Sequence, residues 1–204
     1  MSRQPKPRIQ RDNLARREIA GVAARLMAED GIDDFAYAKR KAARQLGLPE
    51  DGALPTNTEV EAELRTYLQL YQAQEQPALL KELRGVAIAA MRFLADFNPY
   101  LTGPVLDGTA CRYAGVELEL FAESAKEVEI FLINHNVRYE HGRTPQGPGE
   151  LPEAVIHLDW DSTPLRLNIY SELAERSKRS NRAGRVRNRA KIGKVESLLE
   201  ESEQ

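Results

Sequence analysis

The chain has 204 residues, 42% of them hydrophobic and 29% charged, with a formal net charge of -2. This balance allows a buried core, excludes wholesale disorder and leaves any nucleic-acid contact to local patches rather than overall charge. Cys111 is the one cysteine, which excludes an intrachain disulfide and a thiolate metal cluster and fits a reducing compartment.

No stretch approaches the roughly 18 consecutive apolar residues of a membrane span, and the N-terminus lacks the apolar run of a signal peptide. A cytoplasmic protein without membrane contact is expected. Apolar residues at spacings of three and four, Ala15, Ile19, Val22, Ala23, Leu26 and Met27, predict a helix over 11–30 that stops at Gly31. A second helix starts near Asp33 or Asp34 and runs through FAYAKRKAARQLG, with Gly47 at its far end. LPEDGALP is a loop, too long for a tight helix-turn-helix connection, although the basic second helix faintly suggests such an element.

Thr56-Asn57-Thr58-Glu59 has capping-box spacing and opens a third helix, which places Val60, Leu64, Tyr67, Leu68 and Tyr71 on one face. A fourth follows Pro77, with a wide apolar stripe through Leu80, Leu83, Ala87, Met91 and Leu94, and ends before Asn98-Pro99. Beyond Pro99 the period changes from about 3.6 to 2. YLTGPVL and GVELELF read as strands, AKEVEIFLINHN as a helix, NVRYEH as a third strand and 142–152 as a loop. EAVIHLDW and PLRLNIY read as two further strands joined by Asp161-Ser162-Thr163.

The reading is an α+β protein: a helical module over 1–97, packed on a small mixed-sheet domain over 98–172, and a basic extension over 173–204. Arg182, Arg185, Arg187, Arg189 and Lys191 in that extension are the candidates for contact with nucleic acid or another polyanion. The Tyr and Leu face of the helical module is the candidate surface for homo-oligomerisation. His135, His141 and His157 share no metal-ligand spacing and read as structural or surface residues.

In GVELELF, alternation puts Val116, Leu118 and Leu120 on one face and Glu117 and Glu119 together on the other. Such a pair is more often a solvated face than a metal site. Two carboxylates on one strand can nevertheless hold a divalent cation that bridges nucleotide phosphates, and a preceding glycine turn lets backbone N–H groups approach a phosphate. Cys111 neighbours that turn, where Arg112 would favour its thiolate.

Over about residues 98–172 these features resemble the nucleotidyltransferase-fold superfamily, whose signature is a hydrophobic residue, Gly, then Gly or Ser, a spacer, and a strand bearing two acids. Gly108-Thr109 supplies the glycine and hydroxyl with a short spacer; Gly103-Pro104 supplies a better spacer and a different second residue. The first alignment is preferred. The resemblance implies binding of a nucleoside triphosphate and transfer of its nucleoside monophosphate. Glu117 and Glu119 would hold Mg²⁺ or Mn²⁺ and act as the catalytic acids, while Gly108, Thr109 and Arg166 would contact phosphate. Members usually carry Asp on this strand and a third acid on a later one. PLRLNIY offers Arg166 and Asn168 instead, and Asp159 or Asp161 could substitute only from a neighbouring central strand. An altered transferase site is the expectation, with a non-enzymatic nucleic-acid-binding or regulatory protein as its alternative.

Overall fold

The computed structural model describes residues 8–50, 52, 54–145, 151–176 and 188–201. Two compact units divide the chain: Met1–Gln76 with Cys111–Tyr113, and Pro77–Ala110 with Ala114–Gln204. The α+β class stands as expected. The boundary falls after residue 76 rather than after 97, because the apolar stripe of the fourth helix is buried with the sheet.

The first unit is three helices, α1 (Arg8–Asp30), α2 (Phe35–Gln45) and α3 (Asn57–Tyr71). Ile19, Ala23, Leu26 and Met27 of α1 share one buried cluster with Ala38, Ala42 and Ala43 of α2 and Val60, Leu64 and Leu68 of α3. The many alanines leave little side-chain bulk between the helix backbones. Each later helix has a defined start. The Asp34 carboxylate accepts the amides of Ala36 and Tyr37, and Thr56 with Glu59 forms the full capping box. Tyr67 donates to Glu29, while Leu70 and Tyr71 are exposed on α3.

The second unit begins with α4 (Gln76–Phe93), which belongs to it from Pro77 onward. Then follow β1 (Tyr100–Thr102), α5 (Gly103–Asp107), β2 (Val116–Ala122), α6 (Ala125–Asn134), β3 (Glu140–His141), β4 (Ala154–Trp160), β5 (Thr163–Ser171) and α7 (Ile192–Glu201). The strands form one mixed sheet in the order β1-β2-β5-β4-β3; β2 and β5 run parallel and the other neighbours antiparallel. Leu118, Leu120, Leu165, Leu167, Ile169 and Ile156 are buried in one cluster with Leu83, Ala87 and Met91 of α4, Val128 and Leu132 of α6, and Val195 of α7. The β4–β5 turn is two residues, Asp161 and Ser162, both at positive φ, between the paired Trp160 and Thr163. Left-handed backbone at both central positions matches the right-handed twist of the strands.

Three expectations change. YLTGPVL is a strand only to Thr102; Gly103 takes φ +73 and Pro104 sits in the first turn of α5, where its missing N–H costs nothing. NVRYEH contributes only Glu140 and His141, paired with the outer edge of β4. The C-terminal extension is in part integral to the sheet unit. Ala190 exchanges two backbone hydrogen bonds with Leu101, both 2.9 Å, Val195 is fully buried, and Arg84 donates to the Leu198 carbonyl at 3.0 Å. A guanidinium on the last turn of α7 also meets the negative end of that helix.

Two stability predictions follow from these contacts. Replacing Leu167, fully buried at the centre of β5, by Ala should cost about 2–5 kcal/mol in chemical unfolding of the second unit. In the first unit, the Thr56 amide, then the Arg16 guanidinium, holds the Glu59 carboxyl down at about 2. A depressed carboxyl contributes stability that is complete above its unfolded value near 4.5 and is lost as pH falls towards 2. Glu59→Gln should therefore melt below the parent at pH 6 and nearly with it at pH 2.

Candidate functional site

The β2–β5 register fixes which side chains share the face opposite the apolar cluster. Paired residues point the same way, so one row runs across the whole sheet: Thr102, Glu117, Arg166, His157 and Glu140. The next row is Tyr100, Glu119, Asn168 and Val155, and Phe121 with Tyr170 makes a third. The face thus grades from charged to aromatic. Glu117 and Glu119 do project together, as alternation requires.

Their surroundings differ sharply. Glu117 is half-buried, whereas Glu119 is 1% exposed. Arg189, just before the pairing of Ala190 with Leu101, brings its guanidinium Nη1 to 4.0 Å from Glu119 Oε2. The same guanidinium donates to the Glu175 carbonyl at 2.6 Å and lies over the rings of Tyr100, at 4.5 Å, and Phe121, at 5.5 Å. Lys191 approaches Glu175 Oε1 at 3.8 Å, and the Tyr100 hydroxyl donates to that carboxylate at 2.7 Å. Tyr100 first, then Asn98, keeps the Glu175 carboxyl below the usual carboxylate range. Asn168 is 2% exposed, and its Nδ2 has no hydrogen-bond partner among the described residues.

The two glycine turns have different surroundings. Gly108 ends α5 at φ +73, and the amides of Gly108 and Thr109 both point back to the Pro104 carbonyl, Thr109 at 2.9 Å. This is a left-handed helix cap, its donors already spent on the helix. Thr109 is also buried. The expected phosphate cradle at Gly108 and Thr109 is therefore corrected to a structural role. Gly103 stands against the carboxylates instead: at φ +73, a Cβ there would meet Glu117 Cδ at 3.0 Å and Oε1 at 3.1 Å. Sequence spacing already favoured Gly103-Pro104; what displaced it was the hydroxyl residue Thr109, which proves to be buried.

Arg166 lies directly across from Glu117, half-buried, on the face where phosphate contact was expected of it. Asp159 shares that face but sits on β4, with β5 between it and β2. Two strand spacings, about 10 Å, and a further shift of two to four residues along the strands separate it from the glutamates. No group of three or more His, Cys, Asp or Glu residues that could hold a metal occurs among the described residues. Two carboxylates suffice in kind for Mg²⁺, which commonly takes one or two from the protein and completes its shell with phosphate and water. Glu117 and Glu119 fit that use; the nearby Arg189 charge competes with it.

The basic candidates are largely engaged within the chain. Arg189 and Lys191 serve the cluster just described, and Arg182, Arg185 and Arg187 lie outside the described residues. On α2, Lys41 pairs with Asp30 and Arg44 with Glu50, both at 2.8 Å, and Lys39 binds the Pro55 carbonyl and Asn57. Those side chains offer little free charge for a phosphate backbone. Cys111 donates to the Met27 carbonyl at 3.4 Å, and burial pushes its thiol up, so Arg112 does not make it reactive.

Gly103→Ala forces a side chain into left-handed backbone and against the Glu117 carboxylate. It should cost about 1–3 kcal/mol in the unfolding of the second unit, measured by urea titration. Against known proteins, no family model, no curated sequence and no solved structure matches this chain.

Proposed function

We propose that this chain is a nucleotide-binding protein on a nucleotidyltransferase-like frame, with a transfer site altered from the usual set of acids. The observation that carries the reading is Gly103, in left-handed backbone at the end of β1, packed against the carboxylate of Glu117 with Glu119 beside it on β2. A glycine turn in contact with an acidic strand supports the reading, with Pro104 in place of the second Gly or Ser of the superfamily signature.

The remaining residues suit binding more than turnover. Where active members place a third acid, β5 presents Asn168 level with Glu119 and Arg166 level with Glu117. A cation and an amide in those positions can donate to phosphate oxygens but take up no proton from an acceptor hydroxyl. Glu117 and Glu119 would hold Mg²⁺ or Mn²⁺. When bound, that ion supplies neutralisation of phosphate charge. Arg166 would meet the phosphates from the next strand, and the aromatic end of the face, Tyr100, Phe121 and Tyr170, closes the site on the other side.

No helix among the described residues is long and apolar enough to cross a membrane. A cytoplasmic setting, where nucleoside triphosphates and reduced thiols coexist, belongs to the same reading. A polyanion role for the C-terminal segment now rests on Arg182, Arg185 and Arg187. Salt dependence would reveal it: nucleic-acid binding through phosphate contacts weakens steeply as salt rises.

Calorimetric titration of ATP, GTP, CTP and UTP in Mn²⁺ tests the proposal, with Glu117→Gln as the comparison. Glu117 is the better choice because it is half-buried, whereas Glu119 sits in the interior. At least one triphosphate should bind the parent chain, and the variant should lose about ten-fold or more in affinity. No binding by the parent would return Glu117 to the solvated face of an amphipathic strand.

A further inference from the structure

Glu119 is a charged group in the interior of a sheet face, and its nearest described cation comes from residues seventy positions further along the chain. A buried carboxylate needs a counter-charge, since an isolated one is strongly disfavoured in a low-dielectric setting. Among the described residues Arg189 brings it, but not as a clamp. At 4.0 Å the contact is longer than the roughly 2.7–2.9 Å of a charge-assisted hydrogen bond. The guanidinium's short contact is with the Glu175 carbonyl, and its central carbon lies 4.5 Å from the Tyr100 ring and 5.5 Å from the Phe121 ring.

The backbone beside it is pinned. Ala190 is tied to Leu101 by two hydrogen bonds, Asn188 donates to Asp107 at 3.1 Å, and α7 anchors the segment through Val195 and Arg84. The side chain of Arg189 can therefore swing away while the segment stays docked. Asn168 provides an independent sign that the surroundings of Glu119 are built for more than this pair. Its carboxamide is 2% exposed, level with Glu119, and its nitrogen is unsatisfied among the described residues. An amide turned over would present its oxygen to a cation.

We infer that Arg189 is an internal substitute for a divalent cation, holding the place beside Glu119 until the triphosphate arrives with its own metal. This rests on the reading of Glu117 and Glu119 as a cation site and adds its regulation. Two positive groups cannot share one carboxylate without mutual repulsion, so Arg189 and the ion exclude each other. Nucleotide phosphates, in turn, give the displaced guanidinium a new partner. Binding of the metal alone is thus suppressed, and binding of the metal with its nucleotide is not.

The test uses the full chain and Mn²⁺ alone, with free ion followed by electron paramagnetic resonance, in the parent, Arg189→Gln and Arg189→Gln with Glu119→Gln. Arg189→Gln should bind Mn²⁺ about ten-fold more tightly than the parent or better, and the double variant should lose that gain. Mn²⁺ should also raise the melting temperature of Arg189→Gln more than that of the parent. Equal Mn²⁺ affinity in the parent and Arg189→Gln overturns the substitution while leaving the nucleotide site standing. Absence of Mn²⁺ binding in both overturns it too, and nucleotide titration then decides the site on its own. If Arg189→Gln fails to fold, Arg189→Met takes its place: it keeps an apolar stem to pack on the rings and removes the charge, so its Mn²⁺ affinity must exceed the parent's, and equality again overturns the inference.

Discussion

Seven consecutive pairs join β2 to β5 in parallel, from Val116 with Leu165 to Ala122 with Ser171. This ladder sets the sidedness of the sheet. With Leu118, Leu120, Leu167 and Ile169 turned towards α4 and α6, every second residue is committed to the opposite face. A slip of one residue would bury Glu117, Glu119 and Arg166 among leucines, at a cost that hydrophobic contact could not offset. The charged row across the five strands is therefore a geometric consequence of a well-packed apolar side, not an independent feature.

The two ends of the polar face are handled by different physics. At one end Glu117, Arg166, His157 and Glu140 stay partly in water, where opposed charges interact modestly and solvent does most of the work. At the other, Tyr100, Phe121, Tyr170 and Ala174 exclude water, and Glu119 is caught at the margin. A carboxylate there demands a counter-ion. The returning C-terminal segment brings one and, in the same pass, covers the open edge of β1 through Ala190 and Leu101. Protection of a strand edge and neutralisation of a buried acid come from four consecutive residues, 188–191.

Helix starts and stops were the most legible part of the chain. Asp34 and Thr56 cap as their spacing suggested, and Gly31 and Gly47 follow helix ends in left-handed backbone. These are local contacts, within a few residues, so a local pattern suffices to read them. The period-2 run through Glu117 and Glu119 was equally readable, as was the turn at Asp161 and Ser162. The extent of β1 was not: YLTGPVL is apolar enough for a longer strand, and only the backbone taken by Gly103 and Pro104 ends it at Thr102.

The sequence by itself determined the α+β class, five helices, the caps at Asp34 and Thr56, the places of the five strands and the common face of the two glutamates. Only the tertiary structure decided that α4 belongs with the sheet, that Gly103 rather than Gly108 meets the acids, and that Arg189 reaches Glu119. The reason is one of range. Periodicity and capping are written in neighbouring residues, whereas burial of Glu119 and Asn168 and the approach of Arg189 depend on strands and tail that meet only after the chain has folded.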